Sequence, residues 1–144
     1  MAGNKVVFGS PPVLTLEVKR HLFPDSGSYV DRNMLAVNVA VLAGRFHGFV
    51  ETELRTDELA RFRDILREMY KQLRGEWDQE FLGSGLDFKI KGDGLGHFTM
   101  TCVVNDSPGV GNELTFEIGF DQTAIPEMLE GLDQVISNFP VRPD

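Results

Sequence analysis

The stretch LTFEIGFDQTAIPEMLEGLDQVISNFP, residues 114–140, decides the fold, because its hydrophobic period changes once along its length. Leu114, Phe116, Ile118 and Phe120 alternate with Thr115, Glu117, Gly119 and Asp121, which predicts a strand with one buried face. From Ile125 the apolar positions fall at Met128, Leu129, Leu132, Val135, Ile136 and Phe139, a single stripe on a helix. Thr123 reads as the cap of that helix, and Pro126 in its first turn is cheap because the early N–H groups have no helical partner. Gly131 lies mid-helix and costs about 1 kcal/mol relative to Ala. Close packing on a sheet or on another helix would account for it.

The same succession occurs earlier, from Val50 to Leu73. One common offset aligns Leu54 with Phe120 and Leu59 with Ile125, so LRTDEL matches FDQTAI without a gap. Here Thr56 is the expected N-cap, Asp57 and Glu58 suit the positive end of the helix dipole, and Leu59, Phe62, Ile65, Leu66, Met69 and Leu73 form the stripe. Gly75 reads as the stop. Alternation predicts further strands around Lys5–Phe8, Leu14–Val18, Leu35–Val41, Arg45–Arg55, Glu76–Leu82, Leu86–Ile90 and Phe98–Val104. Residues 23–33 (FPDSGSYVDRN) and 105–112 (NDSPGVGN) have loop chemistry, and Gly92-Asp93-Gly94-Leu95-Gly96 reads as a hairpin turn. The expected architecture is a single α+β domain of two layers. A mainly antiparallel sheet of seven or eight strands carries two helices on one face and leaves the other open. Two similar strands-then-helix units, about 5–75 and 76–141, compose it.

A chain of 144 residues suits one core, and no apolar run approaches the ~20 residues that a bilayer crossing needs. The start, MAGNKVVFGS, lacks the apolar core of a secretory signal, and the single cysteine, Cys102, cannot pair internally. Both favour the cytoplasm. A net charge of −8 opposes direct contact with nucleic acid, whose binding depends on Lys and Arg displacing counterions. The same charge suits a basic protein partner.

No motif for chemistry is present. His21, His47 and His97 lie on or beside different strands without metal-ligand spacing, and one cysteine cannot build a thiolate site. KGDGLGHF opens a strand where a phosphate cradle would open a helix. Cys102 falls on the apolar side of a strand, and the His97 ring is expected to bond to the neighbouring loop backbone. No catalytic residue, metal or cofactor is expected.

Charge is more informative. Residues 56–75 carry five basic and four acidic side chains, whereas residues 121–144 carry one and five. The candidate partner-binding residues are therefore acidic. They are Glu127, Glu130 and Asp133 on the second helix, Glu51, Glu53 and Glu117 on the open sheet face, and Trp77 with Asp78 and Glu80, an aromatic anchor among acids. The rest of the open face adds Glu17 and Asp87, diluted by Lys19, Lys89 and Lys91.

Five segments carry a resemblance: Asp57-Glu58-Leu59-Ala60-Arg61-Phe62, Gly92 to His97, Pro108-Gly109-Val110-Gly111-Asn112, Phe120 to Pro126, and Phe139-Pro140. On these the chain, from about Leu14 to Val141, resembles the WapI family of immunity proteins, which are paired with bacterial toxins delivered between neighbouring cells. The matching motifs are turns and caps, so they transfer no contact residues. The resemblance implies a non-enzymatic protein that binds and blocks a cognate toxin domain, for the founding pair a tRNA-cutting nuclease. The alternative is an interaction or assembly module unrelated to toxins, monomeric or weakly dimeric, pairing through an open sheet face that includes Phe49 and Val103.

Overall fold

The computed structural model describes residues 4–143. Eight strands form two separate four-stranded antiparallel sheets, each with its strands in chain order. The first contains β1 (Lys5–Gly9), β2 (Val13–His21), β3 (Met34–Ala43) and β4 (Phe46–Arg55). The second contains β5 (Arg74–Phe81), β6 (Leu86–Asp93), β7 (His97–Asn105) and β8 (Glu113–Asp121). A one-turn helix α1 (Tyr29–Arg32) precedes β3, α2 (Thr56–Gln72) follows the first sheet, and α3 (Ile125–Asn138) follows the second.

The α+β class and the order of strands then helix, twice, agree with the alternation read from the sequence. The single broad sheet does not form. Eight strands at ~4.8 Å spacing would make a layer about 34 Å wide, whereas two helices of ~10 Å diameter cover about 20 Å of it. Divided into two sheets, the strands cover one another as well. Phe88 on β6 shows this directly, lying 5.4 Å from Phe8 on β1, 5.4 Å from Phe62 on α2 and 5.3 Å from Phe81 on β5, ring centre to ring centre. One continuous apolar core takes residues from both sheets and both long helices.

The helices pack crosswise. α2 lies against β5, α3 lies against β1, and the two helices touch. Each group of strands thus has its first member covered by the helix that ends the other group. Gly131 makes the α3 contact possible, since a Cβ there would lie 3.2 Å from the Lys5 carbonyl oxygen.

Several local details differ from the sequence expectation. The N-cap of α2 is Arg55, whose N–H donates to Glu58 Oε1 at 2.9 Å. Thr56 is fully buried and donates its hydroxyl to the Phe139 carbonyl at 2.6 Å, tying the start of α2 to the end of α3. The helix ends at Leu73, in the left-handed region with φ 62°, and not at Gly75, which belongs to β5. Thr123 does not cap α3: Asp121 caps the 3-10 turn Gln122–Ala124 that leads into it, its carboxylate accepting the Thr123 N–H at 2.8 Å, and Ala124 is the N-cap of α3 itself. In the loop before β3, Ser28 caps α1. The β6–β7 turn is as expected, with Gly94 and Gly96 at φ 85° and 98°.

Candidate protein-interaction surface

Each sheet turns one face to the core and one outward, so strand register decides which outward side chains become neighbours. On the second sheet the outward rows run Asp78–Lys89–Thr101–Glu117 and Glu80–Asp87–Val103–Thr115. Lys89 therefore stands beside Asp78, and Lys91 pairs with Glu76 at 3.4 Å. The Glu80–Asp87 end has no such relief. Glu80 faces Asp87 directly across the β5–β6 ladder. Partial burial first, then the charges of Glu80, Glu113 and Asp78, hold the Asp87 carboxyl above the ordinary Asp range. This end of the face is a cluster of like charges whose repulsion the fold itself does not cancel.

The first sheet's outward face is divided. One row is charged, Lys5–Glu17–Asn38–Glu51, with Lys5 and Lys19 at 3.9 and 3.6 Å from Glu17. The next row but one is largely apolar, Val7–Thr15–Ala40–Phe49, and it crosses all four strands. Its ends are open: Val7 is 50% and Phe49 63% exposed. Glu51 and Glu53 are outward on β4, the edge strand, and make no ion pair among the described residues.

The residues singled out from sequence are thus not gathered in one place. Asp78, Glu80 and Glu117 share the second sheet's outer face, while Glu51 and Glu53 occupy the first sheet's. Trp77, one residue from Asp78, points to the opposite side of β5. Its indole N–H donates to Gln79 Oε1 at 3.0 Å, and the Arg61 guanidinium stands 5.0 Å over its ring. It closes the rim of the core beneath α2. Glu127 and Glu130 line a groove between α3, β1 and β8. Asp133 is held by Arg67 at 3.1 Å and Arg63 at 3.3 Å, so the two helices join their unlike charges there. Glu113 escaped the sequence reading, because its nearness to Asp87 and Glu80 depends on register across three ladders.

Among the described residues no group of three or more His, Cys, Asp or Glu side chains could hold a metal ion, and no helix is long and apolar enough to cross a membrane. Burial pushes the Cys102 thiol up to about 12, consistent with a packing role. The His97 ring faces the Asp93 carboxylate at 3.1 Å instead of the loop backbone, and the other oxygen of Asp93 accepts the Leu95 and His97 N–H groups.

Two four-stranded sheets sharing one core with a crossed helix pair define an α+β protein whose outward features are charge and open sheet edges. The chain belongs to the WapI-like immunity protein family, whose sequence profile matches residues 8–140. No curated protein matches. Among solved structures the plant transcriptional regulator PBF-2 is similar, with a TM-score of 0.51 and 15% identity over 94% of this chain and 82% of that one. At that identity the likeness concerns the fold alone.

Proposed function

We propose that this chain is a non-enzymatic immunity protein that binds a basic toxin domain, a nuclease acting on tRNA or another nucleic acid, and blocks it in the cytoplasm. Family membership supports the toxin-binding role. The observation that carries the basic partner is the cluster of Glu80, Asp87 and Glu113 on the second sheet, which no cation among the described residues pairs with. A nuclease must present Lys and Arg to phosphates, and those groups are the natural complement of such a face. Residues 5–75 and 76–141 act in this reading as two halves of one domain, and limited proteolysis that released a stable half would contradict it.

Co-expression with the polypeptide encoded by the adjacent gene, followed by affinity capture, tests the proposal. A complex should form at low salt and weaken steeply as salt rises, and reversal of Glu80 and Asp87 to Lys should weaken it about tenfold or more. A complex indifferent to salt and to these reversals, or no complex, would count against a basic partner. The apolar row from Val7 to Phe49 supports a second reading, association through the first sheet. Sedimentation showing a dimer abolished by Phe49→Asp would favour it.

A further inference from the structure

Four strands have an unpaired edge: β1 and β4 in the first sheet, β5 and β8 in the second. α2 covers β5 and α3 covers β1. The second edge of β8 instead looks into a groove of about 750 Å³ bounded by β1 and α3. The groove narrows where the two strands meet, a Cβ on Gly9 falling 2.6 Å from Ile118 Cγ2. An unpaired edge is a row of unused backbone donors and acceptors, which proteins ordinarily protect with charge, proline, a bulge or a covering element.

At Gly119 β8 does the reverse. Glycine weakens a strand interior and is retained where the backbone needs a positive φ, where a neighbour leaves no room for Cβ, or where another backbone comes close. Gly92 in β6 is of the second kind, since its Cβ would lie 2.8 Å from the Phe98 ring. Gly119 is of neither of the first two kinds. Its φ lies outside the left-handed region and a Cβ would meet nothing within 4 Å. Among the described residues nothing packs on that position, so the edge beside it lies uncovered.

Charge names the occupant. Glu127 and Glu130 line the groove, Asp121 stands at its mouth, and the one cation among the lining residues, Lys5, is turned to Glu17 at 3.9 Å. Asp133, one turn along α3, is neutralised by Arg63 and Arg67, but no cation within the described residues pairs with Glu127 or Glu130. The volume falls within the range of about 300–1,000 Å³ over which proteins enclose ligands.

We infer that this groove receives an extended, lysine- or arginine-bearing segment of a protein partner, added as a fifth strand to the free edge of β8, with Glu127 and Glu130 pairing with its cations. Ladder hydrogen bonds would supply affinity, and alternate side chains specificity. The inference adds to the proposed function a second contact for a basic partner, apart from the Glu80–Asp87 end of the sheet face, and gives its conformation. It does not require that the partner be a toxin.

The test uses a synthetic probe, acetyl-Lys-Val-Lys-Val-Lys-Val-amide, titrated into isotope-labelled full-length chain and followed by amide NMR shifts. Shifts should concentrate on Glu117 to Asp121 and Lys5 to Gly9. They should disappear when alternate peptide amides are N-methylated, and the double variant Glu127→Gln, Glu130→Gln should weaken binding about tenfold. Shifts centred on Asp78, Glu80 and Asp87, binding that survives N-methylation of the peptide or the Glu127→Gln, Glu130→Gln double variant, or no binding would overturn the inference. None of these bears on whether a toxin is captured in the co-expression experiment, so the two readings fail separately.

Discussion

The outward faces of the two sheets start from one architecture and end with different chemistry. Both are four antiparallel strands in chain order, both are followed by a helix, and both alternate between core and surface along most of their strands, β2 shifting register between Val18 and Arg20. The first sheet shows solvent an apolar row from Val7 to Phe49 beside a charged row whose Glu17 is answered by Lys5 and Lys19. The second gathers Glu80, Asp87 and Glu113 without an answering cation among the described residues, and partial burial, then that repulsion, holds the Asp87 carboxyl above the ordinary Asp range. Inward positions are bound by the shared core, where a lost methylene is felt. Outward positions are constrained only by solubility and by what they bind.

The deepest test of that contrast attacks what the two sheets share. Phe62→Ala removes the ring that touches Phe8 and Phe88 and should cost about 3–5 kcal/mol in urea titration. Trp77 fluorescence, reporting the second sheet, and far-UV circular dichroism, reporting both, should still give coincident curves. Separate transitions would mean that the sheets do not depend on a common core. Next in size, Thr56→Val cuts the single hydroxyl bond that joins the start of α2 to the Phe139 carbonyl at the end of α3. Leaving that carbonyl unsatisfied should cost about 1–3 kcal/mol, measured in the same titration.

Smaller effects separate the faces themselves. The folded Asp87 carboxyl has a pKa above its unfolded value, so the folded chain holds that proton more tightly. Ionisation is therefore a penalty at neutral pH, relieved as pH falls through the raised pKa and absent below the ordinary Asp range. Asp87→Asn should raise the thermal midpoint modestly at pH 7, and the gain should fade on acidification. A gain that grew toward low pH would reverse the assignment. Phe49→Ser, on the other face, should change stability by no more than about 0.5 kcal/mol at concentrations where the chain is monomeric.

Much of the fold was readable because the period of the apolar residues is a local signal. The stripe Leu59, Phe62, Leu66, Met69 is buried as a set, and so is Ile125, Met128, Leu132, Val135. Alternation also placed the inward residues of β6 and β7 correctly. It says that a face is covered, however, and not by what, so one sheet under two helices and two sheets sharing a core have the same pattern along the chain. β8 carried a hint. Leu114, Phe116 and Phe120 are only partly buried, as on an edge strand, although their spacing promises full cover. The acidic residues were legible as a population but not as a site. Trp77 parts from Asp78 across the pleat, Asp133 finds Arg63 and Arg67 on another helix, and Glu113 joins Asp87 through register alone. Gly131, mid-helix, raised its own question in the sequence, and the Lys5 carbonyl oxygen 3.2 Å from where its Cβ would lie answers it.

The crosswise seating of the helices sets an order of events during synthesis. Val6 and Phe8 are made before the other strands of the core, yet the helix that shields them, Ile125–Asn138, is made only after β8. A ribosome that has released the first sheet has released a greasy flank with no cover, and it stays so until α3 has followed β8. Detaching the two halves onto separate messenger RNAs would therefore yield sticky fragments, each bearing the lid that the other lacks.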